Sequence, residues 1–275
     1  MKTGFLRGRS ASVALAIVIA VAILAAFGRW LAPQDPTAQN PYAMLQGPSA
    51  AHWLGTDAFG RDVLSRLLAG ASSSVLASVF SVVIGLVFGV VPGMVSVFLD
   101  RRIEWLSLRF IDALMTLPFL VFAIAMTAML GNGLIQAMFA VGILITPAFY
   151  RVSRAATLSV VNSDYIEAAR LMGASTTSLI RRHVVRKVLP PVAVAIASMM
   201  GACLSIVASL TFLGIGVMPP NPTWGGVLAT DLTTLYERPL GPLAPGLLIV
   251  ATVWALNALA DALRDADACP QKVRK

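Results

Sequence analysis

The sequence predicts an all-α polytopic membrane protein with six transmembrane helices, on three observations. Hydrophobic residues make up 57% of the 275 positions, charged residues only 12%, and the mean hydropathy is +0.80. A soluble domain carries about 25% charged residues, so no water-facing surface could be built from this composition. The charges are also punctuated: none occurs over 10–28, 67–99, 113–150, 188–230 or 239–260. Finally, the basic residues crowd into alternate connecting segments, as topology signals do.

Taken in order, the first, second and last charge-free stretches are each long enough for one crossing, which needs about 20 apolar residues. The stretch 113–150 is broken by Gly131-Asn132-Gly133, a turn signal, and so predicts a hairpin of two spans. In 188–230 a helix can begin at Pro190-Pro191, because proline is tolerated in a first turn, and it should end before Pro219-Pro220-Asn221-Pro222. Lys2, Arg7 and Arg9 precede an apolar run that superficially resembles a signal peptide. The run is long for one and five further spans follow, so an uncleaved first helix is expected.

With the N-terminus inside, the inner segments hold three, three, seven and four Lys or Arg, whereas Arg29, Arg61, Arg66 and Arg238 fall outside. Both termini are therefore expected in the cytosol of a cell-membrane protein. The net charge of +8 is read as this topology signal and not as a nucleic-acid surface.

Gly85, Gly89 and Gly93 recur every four residues along one face of the second span, where backbones could approach closely, with Pro92 expected to kink the helix. Catalytic and metal-binding patterns are thin. The chain has two histidines, His52 and His183, and two cysteines, Cys203 and Cys269. It has no Gly-Lys pair for a phosphate loop and no serine-elbow or zinc-helix motif. Asp112 is the only acid near a span, whereas ion-coupled carriers place carboxylates at mid-membrane. Energy for uphill transport is expected from another subunit. Thr56-Asp57 through Arg66 is compatible with an interfacial helix on the outer face, capped by Thr56 or Asp57 and anchored by Trp53 and Phe59. Pro219 to Trp224 reads as a rigid outer turn with an aromatic belt residue.

The segment Asn162 to Pro191 is the most informative. Asp164 can cap a short helix with Glu167 at the third helical position; the helix would run through Met172 and stop at Gly173, suited to a left-handed exit. A second helix can start near Ser175. Ala168 and Ala169 would leave a flat surface, and an ordinary amphipathic inner loop is the bland alternative.

Glu167-Ala168-Ala169 followed by Gly173 resembles the EAA loop of bacterial ABC importer permeases. Leu54-Gly55-Thr56-Asp57 with Gly60-Arg61-Asp62 and Ser65-Arg66, then Phe212-Leu213-Gly214, Pro219-Pro220 through Trp224-Gly225, and Asn257 with Asp261-Ala262-Leu263-Arg264-Asp265 resemble the C-type permease of dipeptide and oligopeptide importers. The chain departs from that pattern at Ser72, Arg186 and Ala260.

The resemblance implies a type I importer fold and a non-catalytic subunit paired with a second permease in a heterodimer. It also implies two ATPase domains holding ATP and Mg, and an extracytoplasmic substrate-binding protein. No cofactor is expected in this chain. The implied plan is a cytosolic segment 1–9, a first span 10–31, an outer loop with interfacial helix 32–73, a permease core 74–265 containing a coupling loop 154–189, and a tail 266–275. Coupling residues would be Asp164, Glu167, Ala168, Ala169 and Gly173; the outer element would use Thr56, Asp57, Gly60, Arg61 and Asp62. Ser205, Ser209 and Asn257 are pathway candidates, each of which could equally serve helix packing. Peptides are the expected substrates, with nickel, haem or glutathione as alternatives. An ion-driven carrier or channel is the rival class, with a membrane-embedded enzyme more distant.

Overall fold

The computed structural model describes residues 9–272 apart from 174, 218 and 219. For 9, 168–170, 176, 177, 181 and 267–272 it describes the backbone only. Among the described residues there are ten α-helices: α1 (Arg9–Leu31), α2 (Val63–Ser96), α3 (Arg101–Thr116), α4 (Phe119–Leu130), α5 (Leu134–Val161), α6 (Asp164–Leu171), α7 (Thr176–Leu179), α8 (Val185–Phe212), α9 (Trp224–Thr233) and α10 (Leu243–Lys272). Among the described residues there is no strand, only one isolated bridge between Thr56 and Asp62.

Among the described residues five helices are long and apolar enough to cross a membrane: Ser10–Leu31, Val63–Ser96, Leu134–Val161, Arg182–Phe212 and Leu243–Ala266. The third of the six expected spans takes a different form. The helix before the Gly131 turn, α4, has only 12 residues. At 1.5 Å per residue it covers about 18 Å, short of a roughly 30 Å hydrocarbon core. It joins α3 at a 95° bend, so a sixth crossing exists only if the bent pair is counted as one span. Pro118 sits at the bend, and the residue before a proline, Leu117, is extended with ψ 125.

The helix expected from Pro190 begins earlier. A π-helical turn over Ile180–Val184 joins α7 to α8, and both prolines lie inside α8. Upstream turns extend the helix past the point where each proline lacks its N–H.

α2 is central, packing against α1, α5, α8 and α9, while α8 also packs against α5, α9 and α10. One core cluster, with Met138, Phe149, Val207 and Leu210, binds α2, α4, α5 and α8. A second, with Val21, Leu67, Leu204 and Trp224, binds α1, α2, α8 and α9.

The seam between α2 and α5 follows the glycine repeat. A Cβ on Gly85 would lie 2.6 Å from Ile145 Cγ1, one on Gly89 2.7 Å from the Thr146 carbonyl, and one on Gly93 2.6 Å from the Tyr150 carbonyl. Gly142 of α5 answers them, its own Cβ position lying 2.5 Å from Ile84 Cβ. Such separations let two backbones touch and gain dispersion where lipid supplies no hydrophobic drive. Elsewhere Ser72, one of the departures from the family pattern, donates from Oγ to the Ala25 carbonyl at 2.6 Å and ties α2 to α1.

Candidate functional site

The coupling segment lies at the end of the molecule where α5 stops and α8 starts. α5 closes at Val161, and Ser163 supplies the carbonyl that accepts from Ile166 (2.9 Å) and Glu167 (3.3 Å). Asp164 is therefore the first helical residue of α6 and not its cap, which displaces the expected Asp164–Glu167 capping pair by one position. Both acids stay in the first turn, where the helix dipole favours negative charge. α6 ends at Leu171, one residue before the expected end, and Gly173 holds φ +84, the left-handed exit. Ser175 accepts at its Oγ from Ser178 N and opens α7.

Ile166 is 1% exposed and packs with Val160, Leu179 and Val184. It pins α6 under the helix ends. Asp164 and Glu167 face solvent, and Leu171 and Met172 are 84% and 82% exposed. The Ala168 and Ala169 side chains lie outside the described residues. Leu171 and Met172 were not singled out in the sequence. Their adjacency at the end of an otherwise polar helix was the available signal.

α3 braces this region. Glu104 pairs with Arg154, Asp112 accepts from Arg151 at 2.8 Å, and Ser107 shares a hydrogen bond with the Tyr150 hydroxyl at 2.8 Å. Asp112, the acid expected near a span, is thus ion-paired with Arg151 of α5 and Arg109 of its own helix.

At the opposite end, the expected interfacial helix over Thr56–Arg66 is replaced by a hydrogen-bonded loop. Asp57 Oδ1 accepts from the backbone N–H groups of Phe59 (2.8 Å) and Arg61 (3.0 Å), and Arg61 Nε donates to Asp57 Oδ2 at 2.7 Å. Gly60 takes φ +71 with its Cα against the Asn40 carbonyl, leaving no room for a side chain. These local bonds compete with helix, so α2 starts only after Asp62, whose Oδ2 accepts from Ser65 N at 2.8 Å. Neither Thr56 nor Asp57 caps a helix. His52 has its Nδ1 3.0 Å from Asp62 Oδ1.

Arg238 reaches across from the segment before α10 to the carbonyls of Leu54 and Thr56. Near it lies Asp231 of α9, 2% exposed, with Oδ2 lacking a hydrogen-bond partner. Burial pushes this carboxyl up to about 6; the Asp57 carboxylate adds to the rise, while Arg238 and Arg66 oppose it. Asp231 was missed in the sequence because it follows a charge-free stretch and reads there as a loop residue.

Trp224 is also not a belt residue. It is fully buried, its indole N–H donating to the Leu67 carbonyl at 3.0 Å and its backbone N–H to Ser74 Oγ at 3.0 Å. The expected turn before it has Met218 and Pro219 outside the described residues.

The pathway candidates share the open side of α8 and α10. Ser205 and Ser209 are exposed and donate to carbonyls one turn back in α8. Asn257 is exposed on α10, with its amide directed at Gly201. At the loop end of α8 a cavity of about 410 Å³ is lined by Arg61, Arg66, Asn132, Phe212 and Asn221. Asn132 Oδ1 accepts from Gly216 N at 2.8 Å, so the Gly131–Gly133 turn is latched to the end of α8. Arg61, Arg66, Asn132 and Asn221 would give this cavity a polar wall suited to a hydrated solute.

Residues 81–266 match the family model for the binding-protein-dependent transport system inner membrane component. Residues 3–48 match the N-terminal transmembrane domain of oligopeptide transport permease C. A glutathione transport system permease protein, GsiD of Escherichia coli O1:K1 / APEC, is 38% identical over 263 residues, covering 95% of this chain and 87% of the relative. The di/tripeptide transport system permease protein DppC of Pseudomonas aeruginosa (strain UCBPP-PA14) is 37% identical over 268 residues, covering 95% and 88%. Inward-facing structures of the MetNI methionine ABC transporter share the fold. One has TM-score 0.58 at 18% identity, covering 72% of this chain and 95% of that one; another has 0.55 at 19%, covering 73% and 96%. With matched residues running from the first helix into the last, this chain belongs to the inner-membrane permease family of binding-protein-dependent ABC importers.

Proposed function

We propose that this permease and a second permease of similar fold form the pathway of an ATP-driven importer for dipeptides, oligopeptides or peptide-like solutes such as glutathione. The substrate class follows the relatives, whose names specify glutathione and di/tripeptide transport. The single observation that carries the mechanism is α6, a short helix pinned by buried Ile166 with Leu171 and Met172 projecting into solvent. A monomer has no use for two such apolar side chains at the tip of a basic loop, whereas a groove on a separate ATPase would bury them.

In this reading both termini and α6 are cytosolic, with the bent α3–α4 pair completing the third of six crossings between the inner end of α2 and the Gly131–Gly133 turn. The loop over 45–62 faces outward, towards an external substrate-binding protein. ATP and Mg bind on the ATPase partners, so this chain supplies pathway and coupling and no hydrolytic chemistry. Closure of the ATPase pair displaces α6, and α5 and α8 carry that displacement into the bundle, exchanging inward- and outward-facing states. Substrate passes along the permease interface, with Ser205, Ser209 and Asn257 as polar contacts.

The test is reconstitution of this chain with its partner permease, ATPases and binding protein in proteoliposomes. Peptide uptake should require ATP and the ATPases, and should persist when ionophores collapse the ion gradients. Uptake by this chain alone, driven by an ion gradient without ATP, would instead identify an ion-driven carrier.

A further inference from the structure

We infer that α3 lies along the membrane surface and holds the headgroup of an anionic phospholipid. Its direction is the first observation: α3 departs from α4 at 95°, and its Glu104, Ser107 and Asp112 all bind partners within about one turn of α5, Tyr150 to Arg154, so α3 crosses that span and does not run along it. A helix nearly perpendicular to a span lies close to the membrane plane. Its height is the second. α5 carries no charge from Leu134 to Tyr150, and Glu104, Ser107 and Asp112 bind Arg154, Tyr150 and Arg151, where its charges begin, with Ile111 beside them 4% exposed. α3 is thus fastened along one face where the span leaves the bilayer.

The remaining faces are amphipathic in the manner of an interfacial helix. Ile103, Leu106 and Phe110, spaced three and four residues apart, are 52%, 63% and 64% exposed. Arg102 and Arg109, seven apart, form a separate stripe, with the Arg109 guanidinium 5.6 Å from the centre of the Trp105 ring. Among the described residues neither Arg101 nor Arg102 pairs with a carboxylate. These two arginines with Trp105 and Leu106 line an open groove of about 620 Å³. Two guanidinium groups match a phosphate, the indole suits the headgroup zone, and Leu106 opens onto the apolar stripe where an acyl chain would run. A free phosphate would use the arginines alone and leave the apolar side uncovered, so the groove fits a lipid.

The test uses the assembled importer in nanodiscs of phosphatidylcholine with a minor fraction of phosphatidylglycerol. Lipid retained through purification is counted by mass spectrometry. The wild type should enrich phosphatidylglycerol over its bulk fraction. Arg101→Gln together with Arg102→Gln, both exposed, should lower that enrichment by roughly thirtyfold, since both basic contacts with the anionic headgroup are lost. Brominated phosphatidylglycerol should quench tryptophan emission more in the wild type than in Trp105→Phe, which reads lipid contact at the groove without touching the arginines. Equal enrichment in wild type and double variant would overturn the proposal. So would equal quenching in wild type and Trp105→Phe, or an efficient disulfide between Leu106→Cys and the second permease, which would make this face a protein interface.

Discussion

Gly173 and Asp231 are single residues whose surroundings fix opposite expectations. Gly173 holds φ +84, and among the described residues none lies within 4 Å of where its Cβ would stand, so a side chain there meets backbone strain first. Gly173→Val should redirect the exit of α6 while the spans fold normally. Membrane insertion should be unchanged, while ATPase co-purification and uptake should fall at least tenfold; wild-type uptake by this variant would remove α6 from the coupling role. Glu167→Ala should act more mildly, because the exposed Glu167 supplies only a dipole-favourable charge.

Asp231 concerns stability. Its carboxyl is raised from 3.8 to about 6, so the folded state holds the proton more tightly than the unfolded chain. Its contribution is full below about pH 4 and is lost as pH rises through about 6. Asp231→Asn should therefore raise the melting temperature in detergent at pH 7.5 and match wild type at pH 4. A constant difference across that range would show that the carboxyl does not titrate in the fold. Gly173 was legible because a left-handed exit has a residue signature. The burial of Asp231 was not, because it depends on Arg238 and the loop over 54–57 closing over α9.

Among the elements, the α2–α5 seam was legible in part. A four-residue glycine repeat marks one helix face, but the choice of α5 as partner, and the answering Gly142, depend on tertiary packing. Gly89→Val should force its side chain into Phe149 Cβ at 2.6 Å and the Thr146 carbonyl at 2.7 Å. Overpacking of this kind costs about 1–3 kcal/mol, so thermal stability and yield should drop, with Gly89→Ala intermediate. A neutral Gly89→Val would mean that the helices separate without penalty. The outer loop was the least legible element. Its charges and aromatics suit an interfacial helix, yet Asp57 satisfies two backbone N–H groups locally and the loop wins. The third span is present only as the bent α3–α4 pair, for a related reason. Hydropathy counts apolar residues but is blind to the turn that Leu117-Pro118 imposes, and so merged part of a surface helix with a 12-residue one.

For the whole molecule, composition alone fixed the class, because 12% charged residues cannot cover a soluble surface. Orientation rests on the distribution of Lys and Arg. A reporter active only outside the membrane should be silent when fused after Lys275 and active when inserted near Gln46; the reverse pattern would invert the molecule. What the sequence could not convey at this scale is which polar residues share one open face. Asn257 is 56 positions from Gly201, one turn before Ser205, and meets it only because α8 and α10 pack side by side.

The two-residue link from α5 into α6 has a mechanical meaning. Asn162 donates back to Leu158 at 3.1 Å and Ser163 N to Val160 at 3.1 Å, so the joint is stiff and little slack separates the docking helix from the span. That span is fused by the glycine seam to α2, whose 34 residues extend about 51 Å. A tilt of about 5° at one tip would sweep the far tip through roughly 4 Å, the size of a water molecule and more than a hydrogen bond is long. Under the proposed function the pair would act as an oar with its handle at α6 and its blade at the loop over 45–62, and a small stroke on one side of the bilayer would break and remake polar contacts on the other.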